Sequence, residues 1–169
     1  MIHYMHHLYS FLRELSANNN REWFATRKAE FEELRSLWLA DLQRLIDLMG
    51  EWDPSLRRYS AKECAYRIYR DTRFSPDKTP YKTYVSALIS PYGRHADRAC
   101  YYLHLDPRPE EGGLYGGLWH PEPAVLKKVR TAIVDNDDEW AAAVTSPGMK
   151  KYFPGWTGDR LKTAPKGWR

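Results

Sequence analysis

Between Arg67 and Lys82 the chain sets five cations (Arg67, Arg70, Arg73, Lys78 and Lys82) against two carboxylates, Asp71 and Asp77, within sixteen residues. A guanidinium is a planar fork that matches a carboxylate or a phosphate and keeps its charge at physiological pH. Tyr69, Phe74 and Tyr81 interleave with these charges. Pro80 fixes one backbone dihedral and restrains Thr79 before it, so Tyr81 and Lys82 follow a stiff corner. The run is too charged for a core and too aromatic for a disordered tail. It reads as a built site for something anionic. The competing reading is a structural loop in which Asp71 and Asp77 pair with the cations. A solvated charged face is the third.

Other residue types point to chemistry less directly. His104 shares a strand face with Tyr102 in the expected register. A histidine there is a candidate general acid or base, because its reference pKa lies near neutrality; a satisfied structural histidine is the plainer reading. Trp119 and Glu122 follow Gly116-Gly117, where a ligand or another backbone can come close, or where Trp119 simply packs a tight turn. His3, His6 and His7 have helical spacing but no carboxylate triad, so no metal is assigned to them. Cys64 and Cys100 lack a Cys-x-x-Cys partner and a local nucleophile motif. Gly112-Gly113 and Gly116-Gly117 lack the lysine-hydroxyl pair of a phosphate loop. Asn18-Asn19-Asn20, with Trp23, reads as a helix stop and start before it reads as a pocket lining.

The elements that must position these residues follow from periodicity. Leu8, Phe11, Leu12 and Leu15 predict a helix over 5–16. Asn19 with Glu22 resembles a capping box for a long second helix over about 20–49. Its apolar face is Phe24, Phe31, Leu34, Trp38, Leu42 and Leu45, with Arg27 at the edge. Gly50 closes it and Asp53-Pro54 starts a turn. The period then changes. Residues 64–70, 83–89 and 99–105 alternate as strands, and 112–119 reads as a glycine-weakened fourth. Val85, Ala87 and Ile89 share one face. Tyr101, Leu103 and Leu105 oppose Cys100, Tyr102 and His104. Short connections favour antiparallel pairing among the last three. Pro121-Glu122-Pro123 opens a helix carrying Val125, Val129, Ala132 and Ile133. A short helix near 138–144 follows, then a Gly/Pro-rich stretch from Pro147. Helices flanking a run of strands give an α+β fold, with a mainly antiparallel sheet between N-terminal and C-terminal helices.

Size and composition bound the rest. A chain of 169 residues fits one domain over 1–169, and a second independent core would be cramped. A net charge of +4 permits a phosphate or nucleic-acid partner without demanding one. Most of that charge sits in the 67–82 window; Arg160, Lys162, Lys166 and Arg169 make the C-terminal end basic as well. No run of apolar residues is long enough to span a bilayer, and the N-terminus lacks the pattern of a secretory signal. Two unpaired thiols suit a reducing cytosol. These features name no cofactor and fix no oligomeric state.

With those residues in view, the chain resembles a bacterial and fungal family named domain of unknown function 2461. The matching stretches are Phe11–Leu15, Asn19–Phe24, Arg67–Ser75, Asp77–Lys82, Tyr101–His104, Gly116–Trp119 and Pro121–Pro123, in the expected order. The resemblance implies a small cytoplasmic α+β protein and brings no catalytic residues with it. Members of the family usually continue with a helical segment after the position of Lys166-Gly167, so the resemblance implies either a short member or a truncated one.

The leading expectation is a pocket for a phosphorylated or carboxylated small molecule, extending to an enzyme acting on it. Arg70, Arg73 and Lys82 hold the anion, Arg67 and Lys78 support them, and Tyr102, His104 and Trp119 contact the remainder. In such an enzyme His104 carries the proton and Asp71 orients an arginine. The rival expectation is a nucleic-acid-binding module that stacks bases on Tyr and Phe among the cations. The third is a structural or partner-binding protein built on a salt-bridged loop.

Overall fold

Apolar residues at helical spacing force the first two elements to pack on each other. A computed structural model describes residues 4–94, 98–158, 161–165 and 167–168. Helix α1, Tyr4–Ala17, buries Leu8, Phe11, Leu12 and Leu15. Helix α2, Arg21–Met49, buries Phe24, Phe31, Leu34, Trp38, Leu42, Ile46 and Met49, so the expected stripe runs one turn further. Phe11 lies among Trp23, Phe24 and Phe31, with ring centroids 5.6 to 6.3 Å apart. Arg27 marks the edge of the stripe and donates from Nη1 to Glu14 at 2.8 Å, tying the two helices together.

The turn between the helices departs from expectation by one residue. Asn20, not Asn19, caps α2, accepting from the Trp23 N–H at 2.9 Å. Asn19 is thereby released to face away from the helix. Its amide donates to the Tyr81 carbonyl at 2.9 Å and accepts from the Tyr81 N–H at 3.1 Å.

After a 3-10 turn at Pro54–Arg58, residues 64–70 do not form the continuous strand their alternation predicts. Helix α3, Ala61–Cys64, takes the start of that segment. The Glu63 carboxylate accepts from the Ser60 N–H at 2.9 Å and the Ser60 hydroxyl at 2.6 Å, and this local capping outcompetes extension. The remainder runs extended but pairs only through isolated bridges, Ala65 with Ala87 and Tyr69 with Tyr81.

Strands β1 (Val85–Ile89), β2 (Cys100–Leu105) and β3 (Gly113–Gly117) form an antiparallel meander in that order. Val85 pairs with Leu105, Ala87 with Leu103 and Ile89 with Tyr101, and this face packs on the helical core. Ser86 pairs with His104 and Tyr102 with Tyr115, so these residues share the opposite face. The expected facing of 100–105 is therefore correct. The fold class is α+β, with helices before and after the strands in the chain.

Contacts within the chain gather in two compact units, Met1–His120 and Pro121–Arg169. The second holds α4 (Pro123–Asp135), α5 (Asp137–Thr145) and α6 (Pro147–Tyr152), none of which buries a residue. The sequence reading missed α6. Ser146 caps it through the Met149 N–H, and Pro147 occupies its first turn, where proline is compatible with a helix.

Residues 68–70 and 80–82 are the root of a loop that carries the basic run. The Arg70 N–H donates to the Pro80 carbonyl at 2.9 Å, and the Lys82 N–H to the Ile68 carbonyl at 2.8 Å. Tyr81 is buried between them, stacked on Phe24 with ring centroids 4.1 Å apart. Within the loop, Arg70 Nη1 donates to Asp77 and to the Thr79 hydroxyl. Arg73 binds Asp71 through Nε at 3.0 Å and Nη2 at 2.7 Å.

Two outcomes follow from this geometry. Replacing Asn19 with Ala leaves the Tyr81 N–H and C=O without their partner, and urea unfolding will show a loss of about 1–3 kcal/mol. An unchanged midpoint would mean that Asn19 does not hold the loop. The second outcome concerns acid. Contact with Arg73 holds the Asp71 carboxyl down at about 2; the Thr79 N–H, then Arg70, does the same for Asp77. Both values lie below the ordinary aspartate value of about 3.9. The carboxylates therefore support the loop fully above that ordinary value, and the support is lost as pH falls through about 2. A carboxyl NMR titration checks this; a midpoint near the ordinary value would show that the guanidinium is not held there.

Candidate functional site

The polar face of the sheet and the root of the basic loop meet along one line of residues. Lys82, Tyr84 and Ser86 alternate with inward-facing Val85 and Ala87 as the chain enters and follows β1. A cleft of about 540 Å³ opens beside them, lined by Ser16 from the last turn of α1, Asn19 from the α1–α2 turn, Arg70, Asp71, Asp77 and Thr79 from the loop, and Tyr81 to Tyr84. A much smaller cavity adjoins it, sharing Lys82 and Tyr84 and adding Tyr66, Arg67 and Ser86.

The expected ligand-binding residues divide into three groups. Arg70 and Lys82 line the cleft. Arg70 uses Nη1 inside the loop; its Nε and Nη2 meet no acceptor among the described residues. Lys82 is half-buried. Its Nζ lies 5.1 Å from the ring centre of Tyr66 and 5.9 Å from that of Tyr84. It has no carboxylate partner among the described residues. Burial, then the nearby charges of Arg67 and Arg94, pull its ammonium below the usual lysine range. Arg67 is exposed beside the smaller cavity.

The second group is engaged within the loop. Arg73 is committed to Asp71, and Lys78 donates to the Thr72 carbonyl at 2.9 Å. The third group is off the cleft. Tyr102 and His104 lie behind Tyr84 on the sheet face. Trp119 is 84% exposed, with His120 as its ring neighbour at 4.6 Å.

His104 is held on both ring nitrogens. Nδ1 is 3.0 Å from the Tyr102 hydroxyl and Nε2 is 3.5 Å from the Asp106 carboxylate. Asp106 is buried and takes a two-point contact from Arg108, at 2.9 and 2.6 Å, which lowers its carboxyl against the opposing effect of burial. The Tyr84 ring sits 4.2 Å from the imidazole. The basic loop and His104 thus meet through Tyr84, which lines the cleft on one side and packs on the histidine with the other. Burial, and then the Tyr102 phenol, raise the Tyr84 hydroxyl above its ordinary range.

Tyr84 and Thr79 are not marked as ligand-contacting by the sequence, and Asn19, which lines the cleft, reads there first as part of a helix stop. The strand alternation through Lys82, Tyr84 and Ser86 was the available signal for Tyr84. Nothing local marked Thr79, whose place depends on how the loop closes. Cys64 and Cys100 form no disulfide, and burial raises both thiols. Among the described residues there is no group of three or more His, Cys, Asp and Glu with metal-ligand geometry, and no helix long and apolar enough to cross a membrane. His3, Arg160, Lys166 and Arg169 lie outside the described residues, and Lys162 is exposed.

Among curated proteins and among solved structures nothing matches this chain. One family does, described as a conserved hypothetical protein, and its match takes in the α1–α2 pair, the basic loop, the meander and the last three helices. Covering residues 7–169, it shows that the chain belongs to the DUF2461 family.

Proposed function

We propose that the cleft between the α1–α2 turn, the basic loop and Tyr84 binds a small phosphorylated or carboxylated molecule. The observation that carries this reading is Lys82, an ammonium turned to a cleft between two phenol rings with no carboxylate partner among the described residues. A half-buried charge without a partner is costly, and an anionic ligand removes that cost. Arg70 adds its unused Nε and Nη2 donors on the same cleft. Asp71 and Asp77 line the cleft too, but Arg73 and Arg70 already compensate them. In this reading Arg70 and Lys82 hold the anion and Arg67 supports them. Arg73 and Lys78 shape the loop. Tyr84 contacts the remainder of the ligand, and His104 orders Tyr84 from behind. The working compartment is the cytoplasm, where Cys64 and Cys100 remain thiols.

A second reading has one observation in its favour. Phe74 stands 94% exposed on the loop, with the Arg73 guanidinium 5.8 Å from its ring centre. An aromatic platform among cations suits a stacked base of single-stranded nucleic acid. That reading leaves the cleft itself without a role, so the small-anion reading is preferred.

Thermal unfolding against inorganic phosphate, lactate, mononucleotides and short oligonucleotides at matched ionic strength separates the two. A small anion at a hundred times its dissociation constant will add about 2.7 kcal/mol, several degrees for a chain of this size. Lys82→Gln will fold and lose that gain. Binding only to oligonucleotides, weakening by roughly 0.7 log units per phosphate for each log unit of salt, favours the second reading. An equal gain in wild type and Lys82→Gln removes Lys82 from the site.

A further inference from the structure

Lys82 differs from every other lysine of the described residues in its burial and in the cations set beside it. Lys28, Lys62, Lys78, Lys127, Lys128, Lys150, Lys151 and Lys162 are all exposed. Lys82 is half-buried and lines both the cleft and its small side cavity. Its neighbours are phenol faces, Tyr66 and Tyr84, and guanidiniums, Arg67 and Arg94. Arg94 is fixed in place, donating to the Ala65 carbonyl at 2.6 Å with its guanidinium 5.6 Å from the Tyr66 ring centre. An amine becomes a nucleophile when it is desolvated and set beside other cations, because both conditions favour its neutral form. The lowered ammonium of Lys82 is consistent with that placement.

We propose that Lys82 forms an imine with a small carbonyl compound whose carboxylate or phosphate is held by Arg70. The inference rests on the anion-binding reading of the same cleft and narrows its ligand class to anionic aldehydes and keto acids. Lys82 first releases a proton to solvent. The Nζ lone pair then forms a bond to the carbonyl carbon, and the carbonyl π pair moves to oxygen, which takes up a proton. The nitrogen loses one proton to give the carbinolamine, and its hydroxyl takes up a second proton. The carbon–oxygen bond breaks to release water as the nitrogen lone pair forms the carbon–nitrogen double bond; loss of the remaining nitrogen proton leaves the neutral imine. One amine and one carbonyl give one imine and one water, with no redox change. The carbonyl must sit between the Arg70 donors and Lys82. Both residues line the one cleft, as that requirement demands.

The test is reductive trapping of the whole chain with pyruvate and sodium cyanoborohydride at neutral pH, followed by peptide mapping. Lys82 is expected to be labelled several-fold faster than the exposed lysines. Excess lactate, with the same carboxylate and no carbonyl, will slow labelling at Lys82 alone. Lys82→Arg, which keeps the charge, will abolish that adduct and leave the others. Labelling of Lys82 no faster than its exposed counterparts overturns the inference. If lactate or phosphate still stabilises the protein in that case, the anion-binding reading survives; if neither does, both fall together. Equal labelling of Lys82 by acetone, a neutral ketone, overturns the restriction to anionic carbonyls.

Discussion

The contact between the Asn19 side chain and the backbone of Tyr81 is the constraint on which the site depends. Tyr81 is buried, so its N–H and C=O must find partners inside the protein. The residues on either side of it bond to 68–70, but Tyr81 itself faces the helical hairpin. A primary amide has the donor and acceptor of a peptide group, and Asn19 supplies both across 62 positions of sequence. The Phe24 and Tyr69 rings close over Tyr81 on its apolar side. The turn between α1 and α2 is short and capped by Asn20, so its position follows the packing of the two helices. That packing is carried through Asn19 to the root of the basic loop. The helical core thereby decides where Arg70 and Lys82 stand.

The loop's charges are distributed unevenly along its length. Its outer part neutralises itself: Arg73 holds Asp71, and Asp77 gathers Arg70, the Thr79 N–H and the Thr79 hydroxyl. Pairs this exposed contribute little to global stability. Their effect is local, giving the loop enclosed by the Arg70–Pro80 hydrogen bond a defined shape. At the root the pattern reverses. Lys82 is stabilised by π faces, and a cation over a phenol is held less tightly than one on a carboxylate. Of the cations in this stretch with no ion pair among the described residues, Lys82 lines the cleft, Arg67 the smaller cavity beside it, and Lys78 stays exposed on the loop.

Much of this arrangement is legible in the sequence, and the parts that are not share a cause. Helical spacing identifies α1 and α2 because each buries a continuous apolar stripe. Alternation gives the facing of Tyr101 to Leu105 because one side of that strand meets the core. Residues 64–70 alternate equally well, yet Ser60 and Glu63 fold their start into a helical turn, and the rest finds only isolated bridges. The cap moved from Asn19 to Asn20 because Asn19 is claimed by a partner far away in sequence. The cations of the basic loop were identifiable by type, whereas their pairing was not. Arg70 meets Asp77 only because Pro80 and Tyr81 bring the loop back on itself. Trp119 carried a plausible aromatic signal, but its surroundings depend on the turn that follows β3. Local chemistry was readable, and long-range partner choice was not.

Tyr84 separates two polar systems with different characters. On one side lies the cleft, with Lys82 and the loop. On the other lies a closed chain of contacts from Arg108 through Asp106 and His104 to Tyr102. Every member of that chain has a protein partner, and Asp106 is buried within it. Such a network favours rigidity over reactivity, since a fully satisfied buried group gains little by moving. It holds the imidazole where the Tyr84 ring rests 4.2 Å away, tilted by 37°. Tyr84 in turn presents one of the two rings over which Lys82 sits. His104 thus stands one ring away from the cleft, behind the Tyr84 that lines it.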